Sequence, residues 1–557
     1  MKKKGTDDIH QGGKFQKLGI ILAVVFYIVS VIMVIRNYGG VSTVFDPGEK
    51  MLTIAHWQLE DGFREGIDEA ISEYEKTKAK QGVKVKVRQV AIPVRGYPQW
   101  FLTQLIGGDP ADVIELMGSP DILNQYFSPL SPYISQKNPW NKGTPIQNMS
   151  WRETFTDDML GGLDPAYSEY FGVSTFMHTT RVYVNLDLYE KATGTKQLPD
   201  TVTEWLDSCK KMREYGVKTN RPVIPIGVRG FDKGTLGQLF NTYNSQLNTD
   251  LADVGTPYSY GTSVGDMYHQ VNTGKLDVKR LLEPVKVVTT LGQYFAEGFP
   301  AIDLEQTKYL FFSGNVGFFI DGTWNAFSMI NNAPFKVGVM QIPMLSNRNP
   351  FGLKSYGRIT ELGSGIGGMF GIPKKTKNFD LALDFLQFLT SWKVNQMVMV
   401  KHCKWMSPLK GVKYEGVMKT FEPVSNTSHT AVFSPFFSGA LGTRLTLQRL
   451  ENSIIERPKK TMEYFWNDYL SVRPKLIDEV EESSRGIQRN LWSIDGSRSA
   501  LAVGSAISRP NSRAGALYRL RSNINLEGII GRFRAIDANT EMIEEMKKLK
   551  EYGENGN

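Results

Sequence analysis

Cysteine is nearly absent, with two thiols, Cys209 and Cys403, in 557 residues. That excludes a disulfide-built scaffold, and no thiol stands near the N-terminal apolar segment to carry a lipid anchor. One bridge between the two is possible in an oxidising compartment. However, Cys209 shares a helix face with Trp205 and Met212, so a buried free thiol is the expectation. Histidine is almost as scarce, at six, and no pair has a metal-ligand spacing; His402 beside Cys403 is an isolated juxtaposition. The chain contains no G-x-x-x-x-G-K-S/T, no H-E-x-x-H and no G-x-S-x-G, so phosphate-loop, zincin and nucleophile-elbow chemistries have no motif to work with. No cofactor and no metal are expected. Gly363-Ser364-Gly365-Ile366-Gly367-Gly368 has the G-x-G-x-x-G spelling, but the apolar run to Ile372 and Pro373 leads into a strand, not into the helix N-terminus that a pyrophosphate needs. Repeats of 20 to 50 residues are also missing, which excludes solenoids and propellers.

Long apolar runs are limited to one. Residues 18–35 carry no charge, and at about 1.5 Å per residue they span roughly 27 Å, close to a bilayer's hydrocarbon core. Five lysines precede the run (Lys2, Lys3, Lys4, Lys14, Lys17), while Arg36 and Lys50 follow it. This bias places residues 1–17 in the cytoplasm, a signal anchor at 18–36, and the remaining chain outside. A cleaved signal peptide is the alternative; Gly40-Val41-Ser42 is a poor cleavage site, and export signals have shorter apolar cores.

The composition, 41% apolar and 22% charged, is that of a folded globular chain, long enough for two or three domains. The net charge of +8 is uneven: seven arginines and one acid, Glu527, lie between Arg498 and Arg534. This basic extension, 496–557, suits phosphates, anionic headgroups or an acidic partner, or is simply a solvated tail. Only Tyr518 and Phe533 interleave it, too few for base stacking, and nucleic acid is not an expected partner.

Hydrophobic periodicity predicts a buried strand at 51–56 and an amphipathic helix at 62–80, with Phe63, Ile67, Ala70, Ile71 and Tyr74 on one face and Asp61 placed as its cap. An alternating strand at 83–88, a helix at 100–106 and a buried strand at 111–117 follow, an α/β order that predicts a largely parallel sheet. The order starts again with a strand at 181–185. Thr201 and Glu204 then form a capping box opening a helix that Gly216 stops after Tyr215, followed by a strand at 223–228. Further helices are expected at 281–295, 380–392 and 462–491. The result is two α/β lobes.

Indoles and carboxylates are the candidate site residues. Trp57, Trp324 and Trp405 fall in connecting segments, where flat aromatic faces suit the apolar C–H faces of sugars. Packing inside a lobe is the competing role for each. Glu115 and Asp321 fall near strand ends, where open α/β sheets hold ligand groups. A carboxylate pair for glycoside hydrolysis and a purely structural hydrogen-bonding role are both open to them.

Gly107-Gly108-Asp109-Pro110-Ala111-Asp112-Val113-Ile114, the Tyr170-Phe171-Gly172-Val173 passage running on to Val182-Tyr183-Val184-Asn185-Leu186-Asp187-Leu188-Tyr189, and Leu198-Pro199-Asp200-Thr201 through Trp205 together resemble the type 1 extracellular solute-binding proteins of ABC importers, the group that includes maltose-binding protein. So do Gly314 through Trp324 and the stretch from Gly367 through Pro373-Lys374-Lys375-Thr376-Lys377-Asn378 to Leu389. Order and spacing hold from about residue 51 to about 450. Ser174 stands where that family has a proline, a membrane helix replaces its usual leader, and the last sixty or so residues have no counterpart. The resemblance implies an α/β fold of the periplasmic binding protein kind (type II), with lobes at 51–165 with 360–404 and at 166–359 with 405–495, joined by chain crossovers at a hinge. It also implies a non-enzymatic role: capture of a small-molecule carbohydrate between the lobes and its delivery to ABC permease subunits. An anchored carbohydrate-active enzyme and a ligand sensor are the alternative roles.

Overall fold

The computed structural model describes residues 49–164, 167, 169–251, 276–361, 365–427, 429, 431 and 439–456, with 465, 467, 485, 503, 506, 540 and 544. The expected cytoplasmic segment and anchor lie outside the described residues, as do nearly all of 462–491 and of the basic extension. Among the described residues no helix is long and apolar enough to cross a membrane.

Two compact units divide the chain, residues 1–51 with 75–87 and residues 52–74 with 88–557. In the first, the Lys50 N–H donates to the Lys84 carbonyl at 3.0 Å, and Glu75 accepts from the Lys86 ammonium at 2.7 Å and the Val87 N–H at 2.9 Å. Two sheets are formed, whose strands belong to the second unit apart from Lys50, Met51 and Val85–Val87. One has five strands, β1 (Lys50–His56), β2 (Val85–Ala91), β3 (Val113–Glu115), β4 (Val173–Met177) and β9 (Ile366–Gly371), in the order β2-β1-β3-β9-β4. The other has four, β5 (Thr180–Asn185), β6 (Ile224–Gly227), β7 (Val316–Gly322) and β8 (Val337–Met340), in the order β6-β7-β5-β8.

Neither sheet is largely parallel, which corrects the expectation from the βα alternation. β1 runs parallel to β3, and β6 to β7; β9 is antiparallel to both β3 and β4, and β5 to both β7 and β8. The reason is connectivity. A crossover that returns to its own sheet delivers a parallel neighbour, whereas β5 is reached from β4 of the first sheet through His178 and Thr179, and β9 enters the first sheet from the second. The chain thus changes sheet at 178–179 and again in the return segment 341–361.

Local chemistry accounts for most elements. β7 is buried along its whole length, as a central strand with apolar neighbours on both faces should be. The glycines of the G-x-G-x-x-G spelling do open a strand, β9. Cβ atoms on Gly367 and Gly368 would stand 2.2 and 2.4 Å from the Phe176 ring, so their absence is what lets β9 lie on β4.

The principal helices are α1 (Phe63–Lys80), α2 (Tyr97–Gly107), α3 (Val202–Thr219), α4 (Gly234–Asn248), α5 (Val278–Gly292), α6 (Leu304–Phe312), α7 (Ala326–Asn331), α8 (Phe379–Leu389) and α9 (Gly439–Ile455). Along α1, Phe63, Ile67, Ala70, Ile71 and Tyr74 are buried at the expected spacing. α3 begins with the expected capping box: the Thr201 hydroxyl accepts from the Glu204 N–H, and the Glu204 carboxylate accepts from the Thr201 N–H at 3.0 Å. It runs past Gly216, however, to Thr219, and Asn220 takes the left-handed turn at φ 51°. Gly216 is buried where a Cβ would stand 3.0 Å from the Arg221 carbonyl, so its role is close approach to the returning chain. Trp205, Cys209 and Met212 on α3 pack with Phe240, Tyr243 and Phe318 in the core over the second sheet. Both cysteines are buried free thiols.

Replacing Thr201 by alanine removes one half of the capping box and is expected to cost about 0.5 to 2 kcal/mol. A urea titration following tryptophan emission checks this: the midpoint should fall with the slope unchanged.

Candidate functional site

The crossing from β4 to β5 is held from both sides. His178 donates its N–H to the Gly365 carbonyl at 2.7 Å, Thr179 donates its N–H to the Thr323 hydroxyl at 2.9 Å, and Thr323 returns an N–H to the Thr179 carbonyl at 3.0 Å. Beside this crossing opens a cavity of about 350 Å³, walled by His178 and Arg181 of the crossing, Gln238 and Asn241 of α4, and Arg358 and Glu361 of the return segment. The volume falls within the range of small-molecule sites, about 300 to 1,000 Å³.

α4 shows why its wall is polar. Leu236, Leu239, Phe240, Tyr243 and Leu247 are buried on one side, while Gln238, Asn241, Thr242, Ser245 and Gln246 face the cavity. The second set recurs at three and four residues, a stripe of amides and hydroxyls on one helix face. Gln246 and Ser355 also brace the wall: the Gln246 side chain accepts the Leu345 N–H at 2.8 Å, and its backbone carbonyl accepts the Tyr356 N–H at 2.8 Å.

The charges in the wall are compensated internally. Arg181 is 1% exposed. Its Nε donates to the Thr420 carbonyl at 2.8 Å, Nη1 to the Thr180 carbonyl and Glu361 Oε1 at 2.8 Å each, and Nη2 to Glu361 Oε2 at 2.8 Å and the Glu422 carbonyl at 2.9 Å. Every guanidinium N–H is therefore used. Arg358 pairs with Asp200 and donates to the Ile342 carbonyl at 3.2 Å. Burial pulls the His178 imidazole below its ordinary pKa of 6.5, so it is neutral at neutral pH.

Trp324 adjoins the cavity through His178, their rings meeting edge to face with centroids 5.5 Å apart. It sits half-buried in the turn after β7, and a Cβ on Gly322 would come within 2.2 Å of its indole. Glycine at 322 is what lets the ring lie over the strand end. The other residues expected at the site lie differently. Asp321 is fully buried, accepts from the Gly322 N–H at 2.8 Å and the Asn325 amide at 2.7 Å, and closes the turn that carries Trp324. Burial pushes its pKa up, opposed by the Arg229 guanidinium. Trp57 is half-buried, with its ring edge on Tyr97 at 4.9 Å. Its N–H and the Gln58 amide donate to the two Glu115 oxygens at 3.2 and 2.6 Å. Glu115 itself is 0% exposed. Trp405 is 1% exposed and packs between Phe63 and Phe176, at 4.9 and 4.1 Å between centroids.

Trp57 and Trp324 thus keep part of their surface accessible, whereas Glu115, Asp321 and Trp405 are enclosed. His178, Gln238, Asn241, Arg358 and the Arg181–Glu361 pair escaped the motif search. The one sequence signal for them is the amide and hydroxyl stripe of α4; the others meet only through distant pairings. Glu60, in the loop after β1, is close enough to Asp321 and Glu115 to interact with both. One of its carboxyl oxygens is buried without a hydrogen-bond partner. Among the described residues no group of three or more acidic, histidine or cysteine side chains is arranged to hold a metal ion.

Burial raises the Glu115 carboxyl from 4.5 to about 8, outweighing the two N–H donors that favour its ionised form. Glu115 is therefore protonated in the folded chain where the unfolded chain has lost that proton. Its stabilising contribution is full below pH 4.5 and is lost as pH rises through about 8. His56, lowered by burial from 6.5 to about 4, acts with the opposite sign, and its effect ends at pH 6.5. The melting temperature should therefore fall from pH 6.5 to 8 in the parent and fall less in Glu115→Gln, as differential scanning calorimetry across that window would register. Parallel slopes would refute this assignment.

Comparison with known families places the geometry in context. The model for the family described as bacterial extracellular solute-binding protein matches residues 56–396. A chitin oligosaccharide binding protein is 13% identical, with a TM-score of 0.53 over 76% of this chain and 97% of that one. The ABC substrate-binding protein Lmo0181 from Listeria monocytogenes, solved with cycloalternan, is 15% identical, with a TM-score of 0.51 over 77% and 99%. Maltose-bound MalE3 of T. maritima is 16% identical, with a TM-score of 0.51 over 75% and 98%. At such identities the likeness establishes a shared fold, the α/β architecture of periplasmic binding proteins. A comparison with curated proteins returns no match.

Proposed function

Because the chain belongs to the bacterial extracellular solute-binding proteins, we propose that it captures a sugar or oligosaccharide outside the cytoplasm and delivers it to the permease subunits of an ABC importer. The observation that carries this reading is the cavity beside the sheet crossing, with amides and hydroxyls on one wall and a half-buried indole adjoining it. Sugars need that combination: ring hydroxyls are satisfied in the plane by uncharged donors and acceptors, and the apolar C–H face is covered by an aromatic ring. The similar structures, a chitin oligosaccharide binding protein and proteins solved with cycloalternan and with maltose, favour the same ligand class.

The mechanism is capture without catalysis. The two sheets belong to two lobes linked at 178–179 and by the return segment. A solute bridging them stabilises the closed arrangement by its differential contacts, and the closed arrangement is what a permease recognises. The uncharged run at 18–35 tethers the protein to the membrane, with the solute-binding bulk extracytoplasmic. Trp57 and Trp324 are the expected aromatic contacts, while Glu115, Asp321 and Trp405 shape the surface from beneath. The burial of both carboxylates supports a non-catalytic role: Glu115 and Asp321 are 0% exposed, Glu115 bonded to Trp57 and Gln58 of the loop after β1 and Asp321 to Gly322 and Asn325 of its own turn.

Isothermal titration calorimetry of the full chain in detergent against a carbohydrate panel tests the reading. Saccharide binding supports it; binding of peptides or metal ions with no heat from any saccharide overturns it. Trp324→Ala is expected to weaken saccharide binding by about 1 to 3 kcal/mol, and an unchanged dissociation constant would remove Trp324 from the site.

A further inference from the structure

We propose that the cavity beside α4 selects an uncharged polyhydroxylated ligand over charged sugars, and that the Gln238 side-chain carbonyl accepts a hydrogen bond from one of that ligand's hydroxyls. The inference rests on the carbohydrate reading above and narrows its substrate class.

Two independent observations carry it. The first is the charge ledger of the walls. α4, GTLGQLFNTYNSQLN, contains no charged residue, although helix surfaces facing a polar space ordinarily carry several. The cationic side chains of the cavity are already matched, Arg181 by a bidentate bond to Glu361 and Arg358 by Asp200. Among the described residues of the walls no charge is left unpaired, so an ionic ligand entering here would lose hydration without meeting a free counter-charge there, a penalty that a neutral hydroxyl does not incur.

The second observation is the Gln238 amide. Its Oε1 is buried and has no hydrogen-bond partner, although the residue lies in the cavity wall. A carbonyl held in this way is unfavourable in the empty protein and becomes satisfied when a ligand hydroxyl donates to it. The Thr242 hydroxyl donates to the Gln238 main-chain carbonyl at 2.8 Å one turn along, which ties the two stripe residues together. Thr242 and Asn241 stand beside it on the same stripe, so one sugar unit meets a row of donors and acceptors of neutral type.

The experiment is calorimetry of the full chain with matched pairs: galacto-oligosaccharides against oligogalacturonides, and N-acetylated chito-oligosaccharides against their deacetylated forms. The neutral member of the accepted pair should bind at least about tenfold more tightly than its charged counterpart. Equal or tighter binding of a charged member overturns the selection while leaving the carbohydrate reading intact. No heat from either member of any pair counts against the carbohydrate reading itself. Gln238→Leu, nearly the same size without the acceptor, is expected to weaken the neutral ligand by about tenfold and leave the melting temperature of the free protein unchanged or higher. A structural glutamine would behave the other way, with lower melting temperature and unchanged affinity, and that pattern would overturn its role. If the leucine variant does not fold, Gln238→Met provides the same comparison with a more adaptable side chain.

Discussion

A guanidinium taken out of water is tolerated only if each of its N–H groups finds an acceptor and its charge a partner. Arg181 meets that demand with four residues from three chain segments: its own neighbour Thr180, Glu361 of the return segment, and the carbonyls of Thr420 and Glu422. Glu361 in turn accepts the Val424 N–H at 2.8 Å. The start of β5, the second passage between sheets and the 420–424 segment are therefore fixed to one another by a single buried cation. Removing either charge would strand the other, so the geometry of the crossing is all or none.

The cavity inherits its character from this arrangement. Because Arg181 and Glu361 neutralise each other in one wall, and Arg358 is paired at its edge, what remains to face a solute is the uncharged stripe of α4 and a neutral imidazole. Trp324 completes the surroundings through its contact with His178, supported underneath by the buried Asp321 and the bare Gly322. His178, on the passage into β5, and Trp324, in the turn after β7, are set side by side by the pairing of Thr180 with Gly322.

The site was legible in part. A tryptophan directly after a buried strand and an Asp-Gly turn has few places to go, and Trp324 lies half-buried against His178 at the edge of the cavity. Glu115 and Asp321 were placed correctly at strand ends, yet proximity to an end does not reveal exposure. Glu115 is enclosed by Gln58, Trp57 and Tyr97, all brought in from other segments. Trp405 follows a turn like the others, but Phe63 and Phe176 close over it. The sheet direction was misjudged for a related reason. Strand and helix alternation reports local periodicity, while β5 and β9 run antiparallel to their neighbours because each enters its sheet from the other sheet, not over a crossover within its own.

Periodicity, capping chemistry and the scarcity of reactive side chains are local properties, decided within a helical turn or a strand. They suffice for the identity of the elements, the capping box at Thr201, the strand after the glycine cluster, the free thiols and the family. The cavity belongs to another scale. Arg181 meets Glu361 across 180 positions, and Arg358 meets Asp200 across 158. No window of sequence contains both partners of either pair. Which charges cancel, which indole stays open and which amide is left without a partner are consequences of packing between distant segments, and only the folded chain decides them.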